Sequence, residues 1–184
     1  MVSPRRPSDS ASARRQWGWH QLDPAWAERL VELADLDPGS TVLDVGAGDG
    51  VITAALLRRD VRVIAIELHH GRAKTLRARF GDRATIVRAD ATDLRLPRRP
   101  FHVVANPSFA HSSALLRRLV SNGSRLRSAH LIVPRSVARR WSGHDAPAAA
   151  RWQRQWHATT GPTIPRRAFR PPPRVDTMVL GITR

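Results

Sequence analysis

Three side chains that accept hydrogen bonds, Glu67, Asp90 and Asn106, each follow a run of apolar and β-branched residues that predicts a buried strand. The carboxyl ends of parallel strands meet at one edge of a sheet, where open α/β proteins bind their ligands. There Glu67 can accept from both hydroxyls of a ribose, and Asp90 can accept from the exocyclic amine of an adenine. Asp93 is an alternative for the second role, although it lies further from its strand.

A glycine loop follows the first predicted strand, with Gly46, Gly48 and Gly50 spaced two residues apart and Asp44 two residues before them. The dinucleotide-binding fingerprint requires a glycine at the sixth loop position, which is Val51 here. An acid before Gly-x-Gly-x-Gly is instead typical of S-adenosylmethionine-dependent methyltransferases. That cofactor has no pyrophosphate, so the loop permits close approach to the backbone rather than binding an anion. A tight turn in an unrelated α/β domain is the alternative interpretation.

The tetrapeptide Asn106-Pro107-Ser108-Phe109 suggests the reaction. The exocyclic amine of adenine is a poor nucleophile because its lone pair is delocalised into the ring. The carboxamide oxygen of Asn106 and the carbonyl of Pro107 can both accept from this amine, while Phe109 can stack on the base. A simple proline turn would account for Pro107 but not for the other two residues.

The composition of the chain indicates the class of its binding partner. The chain has 184 residues, 31 Lys+Arg against 15 Asp+Glu, a formal net charge of +16 and no cysteine. This balance predicts binding to a polyanion such as RNA, although an arginine-rich solvated surface would give the same composition. The sequence contains neither a membrane span nor a signal-peptide core. The absence of cysteine favours a cytoplasmic protein and excludes cysteine-ligated metal, and we expect no metal site. The arginines expected to contact RNA are Arg14, Arg15, Arg117, Arg139, Arg140, Arg166 and Arg167.

The order of elements predicts one α/β domain with a mostly parallel sheet and helices on both faces. Residues 1–15 are basic and aperiodic and are expected to form a flexible arm ahead of a catalytic domain at 16–184. A helix is predicted to begin at the Asp23-Pro24 pair. The final apolar run is expected to form a strand of an edge hairpin. Strands are predicted at 41–45, 61–66, 85–87, 101–105, 129–133 and 178–182, with later helices at 51–57, 71–80, 112–120, 134–141 and 147–157.

With these motifs assembled, the chain resembles the ribosomal RNA adenine N6-methyltransferases, namely the Erm macrolide-resistance enzymes and their KsgA relatives. The most family-specific segment is the C-terminal Phe169-Arg170-Pro171-Pro172-Pro173-Arg174-Val175-Asp176. The resemblance implies a class I (Rossmann-like) methyltransferase fold with seven strands, one of them antiparallel. It also implies methyl transfer from S-adenosylmethionine to an adenine near the macrolide site of 23S rRNA, giving macrolide, lincosamide and streptogramin B resistance. A monomer acting on 23S rRNA or on a large-subunit assembly precursor is expected.

The resemblance also assigns site residues. It implies that Asn106, Pro107 and Phe109 are catalytic. The residues matching the family's cofactor contacts are His20, Leu22, Gly46, Gly48, Glu67, Asp90 and Asn106.

Two departures from the family pattern leave other functions open. Ser108 stands where the family has a second proline, and His20 and Gln21 replace residues of a Gln-Asn-Phe-Leu-like segment. The chain resembles short forms in which the family's C-terminal helical domain is absent. The alternatives are a non-catalytic RNA-binding protein of the same fold and a small-molecule N-methyltransferase, and the positive charge argues against the second.

Overall fold

A computed structural model describes residues 20–143 and 155–184 of the chain. The predicted basic arm, with Arg14 and Arg15, lies outside the described residues, as does most of the helix predicted at 147–157. The described end of that segment differs from the prediction, because His157 begins a strand rather than ending a helix.

The described residues form one seven-stranded sheet with the strand order β4-β3-β2-β5-β6-β9-β7. Every neighbouring pair is parallel except the two that involve β9, so β9 alone runs against the others. A separate pair, β1 and β8, is antiparallel. The predicted fold class is therefore confirmed. The strands are β1 (Gln21–Leu22), β2 (Thr41–Val45), β3 (Arg62–Ile66), β4 (Ala84–Val87), β5 (Phe101–Ala105), β6 (Leu126–Pro134), β7 (His157–Ile164), β8 (Phe169–Arg170) and β9 (Thr177–Thr183).

Helices cover both faces of the sheet, because successive strand residues point to opposite faces. Val42 belongs to the hydrophobic cluster that also contains residues of α1, α2 and α3, whereas Leu43 belongs to the cluster that contains residues of α4 and α5. As predicted, Asp23 caps the first helix through a hydrogen bond from the amide of Ala25, with Pro24 at the first turn. The helices are α1 (Pro24–Leu33), α2 (Val51–Leu56), α3 (His70–Phe80), α4 (Ser112–Leu119) and α5 (Arg135–Ser142), and short 3-10 turns occupy Ala91–Asp93, Phe109–His111 and Arg166–Ala168.

The C-terminal part of the sheet differs from the sequence prediction in one respect. Strand β7 was not predicted, because it is polar, largely exposed, and carries Gly161 and Pro162 at a register shift between Thr160 and Thr163. Proline is tolerated at such irregularities of an edge strand. The edge hairpin expected at the end of the chain is formed by β7 and β9, with β9 as its inner strand between β6 and β7, which explains why the residues of β9 are almost all buried.

Candidate active site

A cleft opens at the carboxyl ends of β2, β3, β4 and β5. Five separate stretches of chain line it: four follow these parallel strands, which end at the same edge of the sheet, and the fifth contains His20. Among the residues expected to act on a ligand, those lining the cleft are His20, Gly46, Glu67, Asp90, Asn106, Pro107 and Phe109.

The glycine loop brings bare backbone to the floor of the cleft. Gly46 has φ 76°, in the left-handed region that favours glycine. A Cβ on this residue would lie 3.5 Å from the Cα of Pro107, an ordinary contact distance, so the positive φ rather than a lack of space favours glycine at this position. Gly50 has φ 80°, and a Cβ there would lie only 2.6 Å from the ring of Phe80. The spacing of these glycines therefore follows from backbone geometry and packing.

Glu67 is nearly buried at the end of β3 and is held by two backbone amides. The amide of Gly48 donates to Oε2 and that of His69 donates to Oε1, both at 2.8 Å. Each carboxylate oxygen keeps a second lone pair for a ligand hydroxyl. Gly48 is buried, so its described role is to orient Glu67.

Asp44 lies beneath the loop, where burial raises its pKa to about 7. The hydroxyl of Thr53 donates to Oδ2 at 2.6 Å and lowers the pKa, whereas the charge of Glu67 raises it. The other oxygen, Oδ1, is buried without a hydrogen-bond partner. Asp44 lines a smaller cavity that shares Gly46 and Asn106 with the main cleft. An unsatisfied buried acceptor at this position is suited to a cationic ligand group.

Asp90 begins the 3-10 turn on the opposite side of the cleft. Its Oδ1 accepts from the amide and the hydroxyl of Thr92, both at 2.8 Å. These bonds hold the pKa of Asp90 below its usual value, and nearby His111 lowers it further. No described residue donates a hydrogen bond to Oδ2, so this oxygen can accept from an amine of a ligand.

Asn106 has one half of its amide engaged and the other half unpaired. Its Nδ2 donates to the main-chain carbonyl of His20 at 2.9 Å, which fixes the orientation of the carboxamide. Its Oδ1 is buried and has no hydrogen-bond partner. An unpartnered buried acceptor is costly in a folded protein unless a ligand satisfies it.

Three rings surround the end of the tetrapeptide. The His20 ring stacks on Phe109 with centroids 5.2 Å apart, and Phe169 meets Phe109 edge-on at 6.5 Å. The Nδ1–H of His20 also donates to the carbonyl of Pro171 at 2.8 Å. The pairing of β1 with β8 brings these segments together, with Leu22 opposite Phe169. His20 therefore stacks on Phe109, and Phe109 lines the cleft beside Asn106.

The remaining predicted cofactor residue, Leu22, is buried in the hydrophobic cluster beneath α1 and lines only the smaller cavity. Ser108 lines the main cleft with φ −53°, and no described backbone acceptor binds its N–H.

Sequence reasoning missed several residues that line the cleft. Leu68 and His69 directly follow Glu67, and His111 stands two residues after Phe109, so proximity to recognised motifs was the available signal. Arg72 on α3 also lines the cleft and pairs with Asp49 at 4.0 Å. No sequence pattern distinguished it from the other arginines.

The predicted RNA-contacting arginines that the structure describes lie outside the cleft lining. Arg117, Arg139 and Arg140 are exposed on the last turns of α4 and α5. Arg166 and Arg167 are exposed in the 3-10 turn after β7, where Arg166 pairs with Asp176 at 2.9 Å.

Within the described residues, no cluster of three His, Cys, Asp or Glu side chains is arranged to hold a metal ion. None of the described helices combines the length and apolarity needed to cross a bilayer.

Comparison with known proteins agrees with this geometry. Residues 11–184 match the family model described as ribosomal RNA adenine dimethylase. The chain is 36% identical over 187 residues to an rRNA methyltransferase of Streptomyces thermotolerans, covering 96% of this chain and 61% of that protein. It is 34% identical to the mycinamicin-resistance protein MyrB of Micromonospora griseorubida, covering 89% of this chain and 53% of that protein. It is also 32% identical to the ribosomal RNA small subunit methyltransferase A of Anaeromyxobacter dehalogenans, covering 91% and 66%.

Solved structures show the same fold. The 23S rRNA methyltransferase ErmE superposes with a TM-score of 0.80 at 24% identity, over 88% of this chain and 68% of that one. A dimethyladenosine transferase from Plasmodium falciparum gives 0.78 at 22% identity, over 89% and 63%.

The chain spans between about half and two thirds of the length of the curated relatives named above. The family match covers the described site in full, including the glycine loop and the tetrapeptide Asn106-Pro107-Ser108-Phe109. The chain belongs to the ribosomal RNA adenine dimethylase family.

Proposed function

We propose that this protein transfers a methyl group from S-adenosylmethionine to the exocyclic N6 of an adenine in 23S rRNA near the macrolide site, and thereby confers macrolide-lincosamide-streptogramin B resistance. The observation that carries the proposal is the buried, unpartnered Oδ1 of Asn106 beside Phe109. An acceptor next to a stacking ring at the end of β5 suits a flipped-out purine amine.

The residues of the cleft fit the cofactor. Glu67 would accept from the ribose hydroxyls, because both of its oxygens are fixed by backbone amides and keep lone pairs. Asp90 Oδ2 would accept from the adenine amine. The unsatisfied Oδ1 of Asp44 would face the ammonium group, close to the bare backbone at Gly46. When bound, S-adenosylmethionine supplies an electrophilic methyl group on a sulfonium.

The protein's own contribution to the reaction is to position the amine. Asn106 Oδ1 would accept a hydrogen bond from one N6–H and the carbonyl of Pro107 from the other, so that the nitrogen lone pair turns out of the purine plane towards the methyl. The bond from Asn106 to the carbonyl of His20 keeps the oxygen, rather than the nitrogen, facing the amine. Phe109 stacks on the base and holds its plane.

The choice of 23S rRNA rests on similarity to the mycinamicin-resistance protein and on the fold shared with ErmE. We infer a monomer that acts in the cytoplasm on free 23S rRNA or an assembly precursor. In it, a catalytic domain at 16–184 is supplemented by the basic arm, and the predicted arginines bind phosphate. Similarity to small subunit methyltransferases makes 16S rRNA the second candidate substrate.

The test is to incubate the protein with radiolabelled S-adenosylmethionine and, separately, protein-free 23S rRNA, protein-free 16S rRNA and a mixture of small-molecule amines. Label at one adenine of 23S rRNA, absent with Asn106→Ala, is the expected result. Label on 16S rRNA alone would reassign the substrate. RNA binding without label would indicate a non-catalytic RNA-binding protein, and label only on small molecules would exclude RNA methylation.

A further inference from the structure

The flank of the sheet beside β4 carries exposed apolar side chains next to the cleft. Leu68 and Val87 are 40% and 36% exposed, and they are two of the four large apolar side chains exposed among the described residues. They lie on neighbouring segments of the chain, because the amide of Glu67 donates to the carbonyl of Val87 at 3.1 Å. Leu68 also lines the cleft. An exposed apolar surface therefore begins at the cleft and continues along β4.

The surface is open because the chain crosses from β4 to β5 without a helix. This crossover, residues 88–100, contains only the 3-10 turn Ala91–Asp93, whereas parallel connections usually pack a helix on the sheet. Ile64 pairs with Thr85 and Ile66 pairs with Val87, so these side chains share one face. Thr85 and Val87 remain exposed on it. We call the side chains of Ile64, Thr85, Val87 and Leu68 the β4 strip.

Four arginines lie around the edge strand β4 and are called the frame; backbone carbonyls hold three of them in place. Arg62 donates through Nε and Nη2 to Gly39, Arg77 donates to Ile86, and Arg88 donates to Leu68. The fourth, Arg83, lies over the ring of Phe80 with its guanidinium 5.9 Å from the ring centroid. From the start of β4 towards the cleft, the four arginines follow in the order Arg62, Arg83, Arg77 and Arg88.

These arginines differ in their partners from several others on the protein. No described carboxylate lies within ion-pair distance of any of the four, whereas Arg58, Arg59, Arg72 and Arg166 each pair with one. An open groove at the start of β4 is lined by Arg62, Arg77, Arg83 and one acid, Asp82, so its lining is net positive. A guanidinium fixed by a carbonyl still has donors left for a phosphate and loses little freedom on binding one.

We propose that the β4 strip and its four arginines bind the RNA segment that flanks the target adenine. From residue 83 to residue 88 the strand covers roughly 16 Å, enough for a short run of nucleotides leading to the cleft. The arginines would contact phosphates, and the apolar side chains would contact sugar and base faces. Charge complementarity favours a polyanion, and the adjoining cleft, taken as the site of the target base, makes RNA the expected polyanion. The inference rests on the proposed function, because it takes the cleft as the site of the target base.

The experiment compares two double variants in RNA binding, measured without methyl transfer. Arg83→Gln with Arg88→Gln removes two charges from the frame, and Arg125→Gln with Arg127→Gln removes two exposed charges at the start of β6. The dissociation constant of a 23S rRNA fragment containing the target adenine and its flanks is measured between 50 and 200 mM salt. Each lost phosphate contact lowers the logarithmic salt slope by about 0.7 for a single strand.

We expect the frame variant to lose about 1.4 from the slope, so that its affinity falls about sevenfold less than that of the wild type over this salt range. The control variant should keep the wild-type slope. Thr85→Glu, which adds a negative charge on the exposed strip, should weaken RNA binding without changing the affinity for S-adenosylmethionine. Thermal midpoints and cofactor affinity report whether each variant is folded.

Equal salt slopes for the frame variant, the control and the wild type would overturn the inference. A strip that binds a protein instead of RNA would give this result. An equal slope change in both double variants would also overturn it, because the effect would then be general to surface charge. Failure of the proposed function has a different signature. The wild type would then bind RNA with the expected difference between variants but would transfer no methyl group.

Discussion

Asp44→Asn is expected to stabilise the protein increasingly as the pH rises. Burial raises the pKa of Asp44 to about 7, so the folded state binds this proton more tightly than the unfolded chain. Stability is therefore lost as the pH rises from about 4, where the unfolded chain ionises, to about 7, where the folded carboxyl ionises. Asparagine keeps an oxygen for the Thr53 hydroxyl and does not titrate.

The magnitude follows from the raised pKa. Because a tenfold change in proton affinity is about 1.4 kcal/mol, a carboxyl whose pKa rises from 3.8 to about 7 costs the folded state about 4 kcal/mol once it is ionised. At pH 5 less than half of this cost is present. The difference in unfolding free energy between Asp44→Asn and the wild type should thus grow by about 3 kcal/mol between pH 5 and pH 8.

The assay is urea unfolding of both proteins at pH 5, 6, 7 and 8. Burial also lowers the pKa of His102 and of His130, but both proteins contain these groups, so their effect cancels in the difference. Asp49→Asn, which removes an exposed carboxylate from the same loop, is the matched control and should give a much flatter difference. Parallel stability profiles for Asp44→Asn and the wild type would refute the reasoning.

The remaining predictions concern the cleft. Asn106→Ala should lower the methyl-transfer rate on the order of 100-fold or more while leaving the dissociation constant of S-adenosylmethionine nearly unchanged; near-normal turnover would mean that another group positions the amine. Phe109→Ala should cost on the order of 1–3 kcal/mol of RNA binding, measured with 2-aminopurine at the target position, and Phe109→Tyr should retain it. Glu67→Gln should weaken cofactor binding without altering the salt dependence of RNA binding, and an unchanged cofactor affinity would remove Glu67 from the site. The Ser108→Pro variant should fold, and its free energy of unfolding should be about 0.4–1 kcal/mol higher than that of the wild type, because the backbone φ of −53° suits proline. A lower free energy of unfolding would contradict this.

The central strands and the glycine loop could be predicted because their signals are local. An uninterrupted apolar run ending in a glycine or a polar side chain marks β2, β3 and β5 whatever surrounds them. Strand β7 could not be found in this way, because its polar sequence is stabilised by pairing with β9 rather than by burial. The edge hairpin expected at the end of the chain is formed by β7 and β9, but its outer strand could not be identified for the same reason.

The interactions of His20 could not be predicted from the sequence. The resemblance named it as a cofactor residue, but its ring stacks on Phe109 and its carbonyl accepts from Asn106. These contacts join residues separated by 86 positions or more along the chain and depend on the short pairing of β1 with β8. The β4 strip is similar, because it results from a crossover that lacks a helix.

The position of β9 between β6 and β7 has a consequence for biosynthesis. The β6 side of the sheet cannot be completed until residue 183 has left the ribosome, because β6 and β7 each hydrogen-bond to β9 rather than to each other. A nascent chain stalled before β9 would therefore expose the unpaired edge of β6 to chaperones.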